Sequence, residues 1–168
     1  MSDITAGLFD QMSPVDWLIY AYEVAVNSPD DSTQNGAVLI SGNKAVRDCN
    51  RFPPGVPCTL RPKATKYKNI GHAEGNTIHL AAKQGIVCGG SVLVCPWFAC
   101  RDCAKDIIMS GVKRVIGHKE RMDIHHEVWA DEISEAWKWM ADAGVVCELI
   151  SAKIGCPSIL VHGERWEP

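Results

Sequence analysis

The sequence predicts an α/β fold, a three-layer α/β/α sandwich built on one mixed five-stranded sheet. Three observations carry that expectation. Short apolar runs of strand length alternate with longer segments of helical period. The first two runs flank a turn, Ser41-Gly42-Asn43, while each later run follows a helical segment, so the sheet is mixed and lies between helices. No internal repeat or interdomain linker interrupts the pattern, so residues 1–168 are expected as one domain with a core over about 14–150.

Residues 1–12 have weak pattern and are expected as a loose arm. Ser13-Pro14-Val15-Asp16 reads as a helix start, with Ser as N-cap, Pro at the first helical position and an acid in the first turn. Val15, Leu18, Ile19, Tyr22 and Val26 continue at helical spacing and should stop near Asn27, ahead of Ser28-Pro29. Ala37–Ile40 and Lys44–Val46 read as the hairpin strands. Between Asn50 and Ile70, Pro53, Pro54, Pro57 and Pro62 forbid a helix or a central strand. The same stretch holds Arg51, Arg61, Lys63, Lys66 and Lys68 and no acid, so it is a candidate phosphate-binding loop or an ordinary solvated one. A helix opening at His72 stops at Gly85, Ser91–Val94 is a buried strand, and a helix opening at Cys100 stops near Gly111. Val112–Ile116 is the next strand, and Glu120–Val128 is ambiguous. Ile133, Ala136, Trp137 and Met140 mark a fourth helix before the last strand, Val145–Ile150.

Composition bounds the function. A hydrophobic content of 46% with 22% charged residues describes a globular chain rather than a disordered one. The net charge of −3 gives no basic field to attract nucleic acid or an anionic membrane. Eight cysteines would suit a secreted, cross-linked domain, but Met1–Thr5 lacks the basic and apolar segments of a secretory signal, and no apolar run is long enough to span a membrane. The chain is therefore read as cytoplasmic, where a Cys-x-x-Cys binds metal or acts catalytically.

Two short motifs supply the chemistry. His72-Ala73-Glu74 and Cys100-Arg101-Asp102-Cys103 each stand where a strand is expected to feed a helix. Together they offer three zinc ligands and one free carboxylate. Structural zinc sites are usually closed, whereas catalytic ones keep a position open for water. Either water completes this set, or Cys49, Cys58 or Cys95 closes it as a structural clip. With the position open, Glu74 can take a proton from water and return it to a ring nitrogen and a leaving amine, chemistry suited to C4 of a cytosine.

Other residues divide between a functional and an ordinary role. Trp97 and Phe98 could stack on a base or fill the core. Ser28, Ser32 and Thr33 could donate to a phosphate or simply form a turn. Asn76 could orient substrate or cap its helix. His118, His125 and His126 lie outside the metal spacing and are expected as exposed loop residues. Trp129, Trp137 and Trp139 are expected in packing or subunit contacts, and Cys88, Cys147 and Cys156 as core filler.

The pair of motifs matches the zinc deaminase signature. Over residues 14–150 the chain resembles the deoxycytidylate (dCMP) deaminase family. The likeness is carried by Ser28-Pro29-Asp30-Asp31-Ser32-Thr33-Gln34-Asn35-Gly36-Ala37-Val38, by Asn50-Arg51-Phe52-Pro53 and by Lys66-Tyr67. It continues in His72-Ala73-Glu74-Gly75-Asn76 and in Phe98-Ala99-Cys100-Arg101-Asp102-Cys103-Ala104-Lys105. The resemblance implies a cytidine-deaminase-like fold, one catalytic Zn2+ on His72, Cys100 and Cys103, Glu74 as proton shuttle, and hydrolysis of dCMP to dUMP and ammonia. It places Asn50 at the sugar, with Arg51, Ser32, Thr33, Lys66, Asn76, Trp97 and Phe98 as further substrate-binding candidates. It also implies a homo-oligomer and control by dCTP and dTTP. Three departures stand out: Ala99 in place of the family's Pro, Gly75 in place of a bulkier residue, and Arg51 where an Asn-Gly pattern is associated with that control. Deaminases of dCTP, cytidine or a base within RNA or DNA are the rival enzymes, and a non-catalytic zinc-stabilised subunit is the rival from another class.

Overall fold

A computed structural model describes residues 7–56, 69–124, 129–155 and 157–168. The first helix, α1 (Pro14–Ala25), starts where its residues can close a capping box. Ser13 Oγ accepts from the Asp16 N–H, and Asp16 Oδ2 accepts from the Ser13 N–H. The hairpin strands β1 (Gly36–Ser41) and β2 (Lys44–Cys49) pair antiparallel from Ser41↔Lys44 to Gly36↔Cys49. Then come α2 (Ala73–Lys83), β3 (Val92–Val94), α3 (Arg101–Ser110), β4 (Arg114–His118), a short α4 (Lys119–Asp123), α5 (Ala130–Asp142) and β5 (Val146–Ile150). Helix α3 ends on Gly111 in the left-handed conformation, where the Val112 N–H reaches back to the Ile107 carbonyl.

The five strands lie in the order β2-β1-β3-β4-β5. β1 is antiparallel to β2 and β3, while β3, β4 and β5 run parallel, which gives the mixed sheet the sequence predicts. Alternation along β1 separates the two layers of core. Ala37 and Leu39 pack with Ala73, Ile78, Ala104, Ile107 and Met140, under α2, α3 and α5. Val38 and Ile40 pack with Trp17, Leu18, Ala21 and Tyr22, under α1. The second layer depends on Gly36: a Cβ there would lie 2.6 Å from the Ala25 nitrogen and closer still to the Ala21 carbonyl. No described helix is long and apolar enough to cross a membrane.

Four features depart from the sequence expectations. Leu8–Gln11 is not a loose arm but a 3-10 turn, with the Leu8 N–H bonded to the Gly42 carbonyl and Phe9 stacked on Trp17. The start of the ambiguous stretch Glu120–Val128 belongs to a short helix, Lys119–Asp123, while 125–128 lie outside the described residues. A second, two-stranded sheet, β6 (Ile159–Val161) with β7 (Glu164–Trp166), follows the 14–150 core and buries Ile159 and Val161. His118 is fully buried rather than exposed on a loop. Its Nε2 lies 2.8 Å from the Ala152 carbonyl oxygen and its Nδ1 2.6 Å from the Tyr22 hydroxyl. A carbonyl can only accept, so Nε2 carries a proton, and Nδ1 shares a hydrogen bond with the Tyr22 hydroxyl. His125, His126 and Cys156 lie outside the described residues, as do 57–68, which hold Pro57, Cys58, Arg61, Pro62, Lys63, Lys66, Tyr67 and Lys68.

Candidate active site

The two motif halves meet because α2 and α3 start side by side. His72 is the N-cap of α2 and Cys100 the N-cap of α3, both in extended conformation, and neither side chain is used for capping. The extended segment before His72 is an isolated bridge, Arg51↔Gly71, rather than the strand expected there. His72 Nδ1 lies 3.3 Å from Cys100 Sγ and 3.5 Å from Cys103 Sγ. The three donor atoms all fall within 4.8 Å of one another. Ligands about 2.0–2.3 Å from one zinc ion have separations of this size, so the residues present fit the metal.

The electrostatics of the donors agree. Hydrogen bonding from the Cys103 thiol, with His72 beside it, holds Cys100 well below the ordinary thiol range. The Cys100 contact in turn raises His72 to about 9. A thiolate at paired helix N-termini is a ready ligand for a cation. Glu74, in the first turn of α2, is only 2% exposed, and its Oε2 has no hydrogen-bond partner among the described residues. Burial pushes this carboxyl up to about 7. An orphaned carboxylate oxygen next to three donors suits a proton-handling group better than a fourth ligand.

The closed-clip alternative finds no fourth ligand among the described residues. Cys95 Sγ accepts from Asn35 Nδ2 and donates to the Trp97 carbonyl, at 3.2 Å each. Cys49 belongs to the core layer under α1.

A cavity opens above the donors. Its walls include Asp30, Thr33, Asn50, Glu74, Trp97, Phe98, Trp129, Ile133 and His162. The loop ahead of β1 is shaped by Asp30, whose Oδ1 accepts from the backbone N–H groups of Ser32 and Thr33 at 2.8 and 3.0 Å. Asn50 locks this loop to the end of β2: its Nδ2 donates to the Thr33 carbonyl at 2.8 Å and to Asp30 Oδ2 at 3.3 Å. Phe98 stacks on Trp137 at 5.1 Å, which makes that tryptophan a packing residue. Trp97 meets Trp129 edge to face, with the Arg121 guanidinium 4.5 Å from its ring centroid.

Thr33, Asn50, Trp97 and Phe98 thus share the cavity with Glu74, His72 and Cys100. Three other candidates do not line it. Arg51 forks onto Asp48, with Nε 2.7 Å from Oδ1 and Nη2 bonded to Oδ2. Asn76 spends its Nδ2 on the carbonyls of Cys49 and Gly71, both at 3.0 Å, so its placement is architectural. Ser32 accepts from the Gly163 N–H and donates its own N–H to Asp30. Lys66 lies outside the described residues. Sequence reasoning missed Asp30 and His162 at this site. Asp30 had a legible signal, an acid two and three residues ahead of Ser32 and Thr33; His162 had none. A Cβ at Gly75 would meet only Asp106 Oδ2, 2.9 Å away at the movable end of a side chain, so nothing in the structure explains the departure there.

Residues 14–119 match the family model of the cytidine and deoxycytidylate deaminase zinc-binding region. The chain belongs to that family. Among its relatives is an uncharacterized deaminase of Aliivibrio fischeri, 32% identical over 121 residues, covering 70% of this chain and 80% of that protein. Mouse deoxycytidylate deaminase is 35% identical over 128 residues, covering 69% and 71% of the two chains. The fold is shared with the crystal structure of dCMP deaminase from cyanophage S-TIM5 in complex with dCMP and dUMP. That likeness has a TM-score of 0.64 at 22% identity, over 83% of this chain and 99% of the other. Family membership and the His72, Cys100 and Cys103 cluster together make this a zinc-binding deaminase domain with a cytidine-deaminase-like fold.

Proposed function

We propose that this enzyme hydrolyses dCMP to dUMP and ammonia. The observation that carries the reading is the buried Glu74 carboxylate, unpartnered at Oε2, beside three metal-ligating donors in a cavity walled by Trp97 and Phe98. The named activity of the mouse relative and the ligands of the cyanophage enzyme support the choice of nucleotide.

His72 Nδ1, Cys100 Sγ and Cys103 Sγ would hold the zinc ion, which would supply the Lewis acidity that eases ionisation of water near neutral pH. Glu74 holds and moves the protons. It takes one from the attacking water and delivers it to N3 of the cytosine. As N3 gains that proton the water oxygen adds to C4. Glu74 then carries the remaining proton of the added hydroxyl to the exocyclic nitrogen, the C4–N bond breaks, and ammonia leaves as C4=O forms. Buried beside the donors with Oε2 unpartnered among the described residues, this carboxyl is placed to accept a proton and return it. Trp97 and Phe98 flank the base and exclude solvent. Asn50 Oδ1, which already accepts the Asn35 N–H, keeps a second lone pair for a sugar hydroxyl.

The same reading takes the chain as one catalytic domain in pyrimidine deoxynucleotide supply. Free cysteines at all six described positions suit a reducing, cytoplasmic setting. A homo-oligomer fits the apolar side chains of Val87 and Met109, exposed at 72% and 87%. Control by dCTP or dTTP is retained as part of the proposal, although Arg51 is engaged by Asp48.

Ammonia release from dCMP, CMP, dCTP, cytidine and a deoxycytidine-containing oligonucleotide tests the assignment, with dCTP and dTTP added in separate arms. The expected outcome is the highest kcat/KM for dCMP. A higher value for any other substrate replaces the assignment, and no turnover by zinc-loaded protein supports a non-catalytic subunit.

A further inference from the structure

The C-terminal hairpin lies beyond the segment that matches the family, yet it reaches the cavity. It is fastened at several points. The Gln34 N–H donates to the Leu160 carbonyl at 2.9 Å, and Gln34 Oε1 accepts from the Leu160 N–H at 3.0 Å. The Gly163 N–H donates to the Ser32 carbonyl at 2.7 Å, and the His162 N–H to Thr33 Oγ1 at 3.4 Å. Trp166 packs against the rings of Tyr22 and His118, with centroids 6.0 Å away in both cases. This hairpin is therefore a fixed part of the site.

Its two-residue turn is His162-Gly163, with φ of 53° and 86°. Among the described residues, His162 is the only non-glycine with positive φ. Such turns favour Asn or Gly at the first position, because a larger side chain costs roughly 1 kcal/mol or more in that conformation. Histidine is, with Asn and Asp, among the few non-glycine residues enriched in that conformation, so the turn admits it, and the side chain it places is exposed and lines the cavity.

The cavity has an inner and an outer end. Glu74 marks the inner end at 2% exposure, so the reacting C4 must be delivered there. The 5′-phosphate then points outward, towards the exposed rim. Glu74 and Asp30, the acids lining the cavity, would repel a phosphate, and Asp30 is already engaged in holding its loop. Among the described lining residues only His72 and His162 can be cationic, and His72 belongs to the metal cluster.

We propose that His162 binds the 5′-phosphate of the nucleotide and so sets the preference for a phosphorylated substrate over a nucleoside. The proposal rests on the dCMP reading. It is tested with His162→Asn and His162→Gly, both of which suit the left-handed turn. The measurements are kcat and KM for dCMP and the competitive inhibition constants of dUMP and deoxyuridine. Loss of a charge-assisted hydrogen bond should raise KM for dCMP and the dUMP constant about tenfold or more. The deoxyuridine constant should stay within about twofold, and kcat should fall less than KM rises. Equal increases for dUMP and deoxyuridine would make His162 a merely structural turn residue, and no increase for dUMP would remove it from the site; either outcome overturns the proposal. If wild-type enzyme deaminates another cytosine substrate but not dCMP, the functional assignment itself falls, and the role of His162 falls with it.

Discussion

The Asn35 N–H donates to Asn50 Oδ1 at 2.8 Å, and the Asn35 side chain donates onward to the Trp97 carbonyl at 2.7 Å. This relay joins the loop ahead of β1, the end of β2 and the segment leading into α3. The wall of the cavity is thus positioned by amide groups rather than by the metal ligands alone.

Asn50→Ala should break that relay. It leaves the Asn35 N–H and the Thr33 carbonyl unpaired in a buried setting, at a cost of about 2–4 kcal/mol. Thermal denaturation should show a midpoint lower by roughly 5–15 °C for a chain of this size. A shift under about 2 °C would mean that water or backbone movement satisfies both groups.

Glu74→Gln separates stability from catalysis. Turnover should fall by at least about 10²–10⁴-fold, while the zinc content stays at the wild-type level. Burial raises the folded-state pKa of this carboxyl to about 7 from an ordinary 4.5. Its protonated form therefore favours the fold; that contribution is complete below pH 4.5 and is lost as pH rises towards 7. Metal-free Glu74→Gln should be more stable than metal-free wild type at pH 8, by roughly 2–3 kcal/mol, and nearly equal to it at pH 4. Urea titrations of the two metal-free proteins at both pH values check the sign. Lower stability of the variant at pH 8 would contradict it.

Gly117→Ala probes the packing behind Phe98. A Cβ at this β4 position would lie 2.8 Å from Phe98 Cδ1 and 3.1 Å from Leu149 Cδ2. Phe98 is 1% exposed and stacked on Trp137, so it can yield only by shifting that stack or moving into the cavity. The expected cost is about 1–3 kcal/mol in stability. KM for dCMP should rise with it, and an unchanged KM would show that the shift goes wholly into the core.

Most of the frame was legible because its signals are local. Ser13-Pro14-Val15-Asp16 announced α1, the Gly42 turn announced the hairpin, and Gly85 and Gly111 ended α2 and α3. The ligand trio was legible because spacing fixes which residues share a helix start. The surroundings of the site were not, since they depend on long-range partners. Nothing near Asn76 in the chain shows that its amide will be spent on the Cys49 and Gly71 carbonyls. The Arg51–Asp48 pair, only three residues apart, was by contrast a local signal that could have been read. The sequence does not show that His118 will sit between Tyr22 and the Ala152 carbonyl. His162 was illegible for the same reason: its turn reaches the cavity only through contacts with Ser32, Thr33 and Gln34, more than a hundred positions earlier.

Arg121 sets desolvation against a ring contact. Its guanidinium is fully buried, and burial lowers its pKa to about 10. Nη1 donates to the Ile124 carbonyl at 2.8 Å, but Nε and Nη2 have no partner among the described residues. Two unpaired buried donors cost about 1–3 kcal/mol each, against up to about 2 kcal/mol from the cation–π contact with Trp97. Desolvation outweighs the ring contact, so Arg121→Met, which keeps most of the volume, should be neutral or stabilising by up to about 2 kcal/mol. Trp97 loses its cationic neighbour in the same variant, so KM for dCMP should rise even as the melting temperature holds or climbs. A drop in stability beyond about 2 kcal/mol would reverse the balance, making the guanidinium–indole attraction stronger than the desolvation it has to offset.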